Sequence, residues 1–208
     1  MKPTITAIAI FFVSLAFGQT KYEEGMKKAF ALWKENKPTE ASAMFERIAA
    51  AEPKQWLPNY YVALINTTAS FTTKDKTQVS ALLNKAQAAL DVEFLKHPDN
   101  AEIMILQALT YTGWVASDPM TNAMKYSGQI MELYEKAQKS DPTNPRAVSG
   151  KAEFEIGGAK YFGSDTTPMC SELKRSLDLY ANFKPENEFS PKWGKDRAEM
   201  LLSECGKK

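Results

Sequence analysis

The sequence predicts an all-α chain of stacked helical hairpins, and three observations carry that prediction. From Lys21 onward apolar residues recur at helical spacing, and almost nothing alternates with the period of two that a strand would show. Four prolines, Pro53, Pro98, Pro142 and Pro185, fall 45, 44 and 43 residues apart, each closing an amphipathic segment that proline can stop but not continue. Four alanines, Ala29, Ala63, Ala108 and Ala152, lie inside those segments at spacings of 34, 45 and 44. Two interleaved series at one period signify an internal repeat.

Helices are expected near 21–36, 39–51, 56–69, 75–96, 100–116, 120–140, 144–161, 168–183 and 191–205. The first two form a repeat over about 21–53, and later repeats follow at about 54–98, 99–142 and 143–185. In the first, Ala29 is the small residue at a close helix crossing and Asn36 makes the turn. Ala41, Phe45 and Ile48 then share one face of the second helix at i, i+4, i+7. In the second repeat Glu93 falls where an apolar residue belongs, with Phe94 filling in. Asp75 and Asp118 are candidate helix caps, and Pro119 suits a first helical position. From the small alanine to the closing proline takes 24 residues in the first repeat but 35, 34 and 33 in the others, so the later hairpins should be longer. The ninth helix is a capping helix over 190–205, with Ser190 as N-cap, Pro191 at its first position, and Trp193, Ala198, Leu201 and Leu202 facing inward. Its charged residues would face water. An isolated hairpin cannot cover its own apolar stripe, so stability comes from stacking three or more.

Ala29 to Pro53, AFALWKENKPTEASAMFERIAAAEP, resembles the tetratricopeptide repeat (TPR) family without a gap. The third unit holds the same offsets through Ala108, Tyr111, Ile130, Tyr134, Ala137 and Pro142, and its SDPTNP resembles the family's inter-repeat turn. The second and fourth units match more loosely. The resemblance implies a right-handed α-α superhelix of about four hairpins whose concave face binds a protein or peptide. Carried over position by position, that face comprises Met26, Phe30, Trp33 and Lys34 from the first unit, Tyr60 and Leu64 from the second, and Ile105 and Leu109 from the third. Glu102 and Thr112 of the third unit belong to the same face, and Arg146, Ser149 and Glu153 come from the weakly matching fourth unit. The alternative for the aromatic residues is packing between hairpins. The Lys and Asn clamp by which some members of that family grip a C-terminal carboxylate is absent at these positions.

Residues 1–18, MKPTITAIAIFFVSLAFG, have the basic start, apolar run and small-residue end of a secretory signal peptide, with a mature chain beginning at Gln19. An uncleaved anchor is the alternative, but the uncharged run from Pro3 to Thr20 includes a proline and four Thr or Ser. A periplasmic or secreted location permits oxidation. Cys170 opens the eighth helix and Cys205 closes the ninth, so an antiparallel hairpin brings them together as a disulfide, stabilising by roughly 3–4 kcal/mol.

The 208 residues include 26 Lys+Arg and 25 Asp+Glu, a balance that argues against a nucleic-acid partner. One histidine and two distant cysteines argue against dense zinc, haem-iron or iron–sulfur ligation, and no cofactor is expected. His97 precedes Pro98 at a helix end, a place for satisfying terminal carbonyls. No nucleophile elbow, phosphate-binding glycine loop or paired zinc histidines occur, and Gly157-Gly158 reads as a kink or helix end. Asn66-Thr67-Thr68 is a formal glycosylation acceptor inside a predicted helix and is read as chance. The sequence therefore favours a non-catalytic binding scaffold. A self-associating structural module of the envelope, a homo-oligomer, is one alternative, and an envelope hydrolase with residues converging only in the fold is another.

Overall fold

The computed structural model describes residues 21–205. The expected signal peptide, 1–18, lies outside the described residues. The chain forms α1 (21–34), α2 (Pro38–Ala51), α3 (Leu57–Ser70), α4 (Lys76–Lys96), α5 (Ala101–Ser117), α6 (Pro119–Ser140), α7 (Pro145–Phe162), α8 (Thr167–Asn182) and α9 (Lys195–Glu204). Among the described residues there is no strand.

Local chemistry sets most boundaries. Asn36 takes a left-handed conformation, φ 59°, in the turn between α1 and α2. Asp75 accepts from the Gln78 N–H at 2.8 Å and Asp118 from the Thr121 N–H at 3.3 Å, both as expected of N-caps. Asn100 and Asn144 cap α5 and α7 in the same way. Gly163, φ 67°, ends α7 in the left-handed form that glycine adopts without strain. In the second and third repeats the extra length goes into the second helix, α4 and α6 having 21 and 22 residues against 14 for α2, whereas α8 of the fourth has 16.

Each helix from α2 to α9 packs on the next in sequence, and α3, α5, α7 and α9 also pack on one another in that order, which makes an inner row. Composition explains the layering. Leu57 to Thr67 of α3 is buried at nearly every position and Ala101 to Ala108 of α5 at all of them, as befits helices covered on all sides. By contrast α4 and α6 bury only one stripe, Leu83, Ala86 and Leu90 in the first and Ile130, Tyr134 and Ala137 in the second. Gly150 lets α6 and α7 close up, since a Cβ there would meet the Tyr134 ring at 2.6 Å. Asn66 is buried and donates to Ser42 Oγ and the Val62 carbonyl, so it is no glycan acceptor in the folded chain.

Three expectations need correction. Glu93 does occupy the buried position of α4: it accepts from Asn59 at 2.6 Å and pairs with Lys96 and His97, each at 3.6 Å. His97 thus faces a carboxylate rather than terminal carbonyls. Gly157 and Gly158 lie within α7, which continues to Phe162. The last helix begins at Lys195 and not at Pro191, because Ser190 Oγ accepts from the Asn187 N–H in a preceding turn and is unavailable as a cap. Residues 183–194 are therefore a non-helical segment. Beyond it, Cys170 and Cys205 are joined as the sequence predicts, with Cα atoms 6.0 Å apart, which ties the end of α9 to the start of α8.

Candidate functional site

The inner row of helices divides into a closed half and an open half. Over α1, α3 and the start of α5, segment 183–194 lies on the face. Phe189 stacks on Phe30 with ring centroids 6.0 Å apart and meets Tyr22 edge-on at 5.9 Å, and its carbonyl accepts from the Tyr61 hydroxyl. Trp193 donates from Nε1 to the Tyr60 hydroxyl at 2.8 Å, and that hydroxyl donates to Glu102 at 3.1 Å. Glu102 also accepts from Asn144 at 2.6 Å and from Arg146, whose guanidinium lies 4.5 Å from the centre of the Phe183 ring. The Glu102–Arg146 pair is buried, and Arg146 Nη1 has no hydrogen-bond partner. Burial, with the Glu102 charge second, raises the Tyr60 pKa well above its ordinary value, so this hydroxyl stays a donor.

This closure settles the position of the predicted concave residues. Met26, Tyr60, Leu64 and Ile105 are core, each at most 2% exposed, because the hairpins and segment 183–194 enclose them. Phe30 and Trp33 are half-buried under the segment, and Lys34 is exposed beside them. Leu109 alone of the eight reaches the open half.

There α5, α7 and α9 enclose an apolar groove. One cavity of 470 Å³ is lined by Phe71, Leu109, Thr112, Phe154, Trp193 and Leu201, among others. A second of 380 Å³ runs on past Val115, Ala123, Gly157, Gly158, Tyr161 and Phe162. Thr112, Glu153, Phe154, Arg197 and Leu201 line both, so the two are chambers of one groove. At the waist Arg197 donates to Glu153 at 2.6 Å, and nearer the mouth Lys160 pairs with Glu204 at 2.9 Å; each pair joins α7 to α9. Side chains at Gly157 and Gly158 would meet nothing within 4 Å, so these glycines leave the second chamber wide. Sequence reasoning offered Thr112 and Glu153 but missed Phe154 and Arg197. The glycine pair inside an apolar helical pattern was the available signal, read as punctuation instead of space.

A further cavity, of 620 Å³, opens at the N-termini of α5 and α7 and is lined by Asn100, Glu102, Asp141, Asn144, Phe183 and Lys184, among others. Several of its polar groups are engaged with one another or with helix N–H groups, through the Glu102–Asn144 contact and the caps of Asn100 and Asn144. The apolar groove is the better site for a ligand.

A haemophore shares this fold. The HusA haemophore from Porphyromonas gingivalis superposes with a TM-score of 0.73 at 24% identity, covering 89% of this chain and 92% of that one. No protein family model matches the chain. No curated protein matches it either. Among the described residues no three His, Cys, Asp or Glu are grouped to hold a metal ion, and no helix is long and apolar enough to cross a membrane.

Proposed function

We propose that this protein is a non-catalytic binding protein, exported from the cytoplasm and built as a TPR-like array. Its groove between α5, α7 and α9 takes a flat, apolar, acid-bearing ligand of the haem or porphyrin kind. The observation that carries the reading is the continuous two-chambered groove on a fold shared with a haemophore. Each chamber falls in the roughly 300–1,000 Å³ range of small-molecule sites. Phe154, Leu201 and Trp193 offer apolar faces to a macrocycle, and Arg197 and Lys160 can exchange their protein carboxylates for those of a ligand. Neither His97 nor a free cysteine lines the groove, so the ring supplies most of the affinity. The leader-like 1–18 and the disulfide support a location outside the cytoplasm.

Titration of the purified protein with ferric haem and with metal-free protoporphyrin, followed by Soret absorbance and tryptophan fluorescence, tests this. Both ligands are expected to bind, and Phe154→Ala to weaken both by about tenfold through lost apolar contact. Failure of both to bind sinks the proposal.

A protein or peptide ligand, the occupant the repeat resemblance implies, is the second reading. It is supported by segment 183–194, a non-helical stretch of this chain seated through Phe189 and Trp193 on the closed half.

A further inference from the structure

The mouth of the groove gathers exposed apolar side chains. Tyr161 is 64% exposed and Phe162 79%, both lining the outer chamber, and Met120, 84% exposed, lies against the Tyr161 hydroxyl. Scattered exposed apolar residues need no explanation, but a cluster at a cavity entrance marks a contact site. Two contacts order it: the Tyr161 ring meets Phe162 edge-on at 5.1 Å, and its hydroxyl donates to Met120 Sδ at 3.8 Å. A thioether is a weak acceptor, so the phenol oxygen gives up little in taking a better partner.

Haem iron is held in proteins by imidazole, thiolate, thioether or phenolate. In this chain His97 is engaged with Glu93 at the end of α4, away from the groove lining, and both cysteines are oxidised. The other tyrosine of the lining, Tyr134, is 2% exposed, and burial drives its pKa far above the ordinary value. Tyr161 is accessible and has Lys160 and Arg197 in the same chamber wall, each held by a carboxylate that a ligand's own acid can displace.

We propose that Tyr161 is the metal ligand of the groove, binding the ferric iron of a bound haem through its phenolate oxygen. This rests on the porphyrin reading above. The Oη–Fe bond forms as the Oη–H bond breaks, the proton passes to solvent, the water on the iron leaves, and no electron is transferred.

The test compares the folded wild type with Tyr161→Phe and Met120→Leu, each titrated with ferric haem and with metal-free protoporphyrin. The wild-type ferric complex should show a phenolate-to-iron charge-transfer band in its visible spectrum. Tyr161→Phe should lose the band and lower the ratio of haem to porphyrin affinity by about tenfold, while Met120→Leu keeps both. An unchanged band and ratio in Tyr161→Phe, or their loss only in Met120→Leu, overturns the assignment and leaves the porphyrin groove standing. No porphyrin binding by the wild type removes the groove and the assignment together.

Discussion

The two halves of the inner face are made of the same kind of helix and end in opposite states. Over α1 and α3 the face carries Phe30, Trp33, Tyr60 and Tyr61, an aromatic stripe that residues 183–194 cover with Phe189 and Trp193. Over α5 and α7 the face carries Thr112, Gly157 and Gly158, and the wall opposite is α9, joined to α7 by two ion pairs and a small apolar cluster. Where the irregular segment lies the face is covered, and where it gives way to α9, beside Leu109, Phe154 and the glycine pair, a hollow remains. What a helical array offers to a ligand is thus decided as much by its irregular segments as by its repeats.

The comparison can be broken most severely at Arg146. Arg146→Met leaves Glu102 buried without its countercharge and removes the cation under Phe183, and should cost about 3–5 kcal/mol in urea unfolding. A loss below about 1 kcal/mol would mean the pair is solvated and does not anchor the closed half. Phe189→Ala should cost about 3 kcal/mol, because a buried ring leaves a cavity between Tyr22 and Phe30. The same variant should turn the closed half into an open one, measured as new binding of an apolar dye; unchanged dye binding would show that the segment holds without its central ring.

The smallest effect sharpens the contrast through pH. Tyr22, under Phe189, is buried with its hydroxyl unpartnered, and burial, with the Glu52 charge second, pushes its pKa from 10.0 up to about 12. A folded value above the unfolded one favours the neutral phenol, so this contribution is complete below pH 10 and is lost as pH rises toward about 12. Tyr60 and Tyr61 shift the same way. Melting temperature should therefore fall between pH 10 and 12, with a shallower fall in Tyr22→Phe, whose stability at pH 7 changes by less than about 1 kcal/mol. An identical pH profile for the two proteins would place Tyr22 in water.

The helices, their order, the caps at Asp75 and Asp118 and the Cys170–Cys205 bond were legible because each is fixed by neighbours or by helix polarity. The cover was not, since residues 183–194 have no period and their partners Tyr61 and Tyr60 lie 128 and 133 positions away. The repeat resemblance placed Glu102 and Arg146 on the concave face, and only the third dimension shows them buried and paired with each other. Ser190-Pro191 imitated a helix start because the competing acceptor role of Ser190 depends on a turn that leaves no mark in the pattern.

The tie between Phe189 and the first hairpins also orders events in time. Stacked repeats can form one after another from the N-terminus, each on the last, through contacts that are short along the chain. Here the aromatic stripe of α1 and α3 waits for residues made more than a hundred positions later. During synthesis, then, the earliest hairpins are the last to be finished, with their rings exposed until the chain is nearly complete.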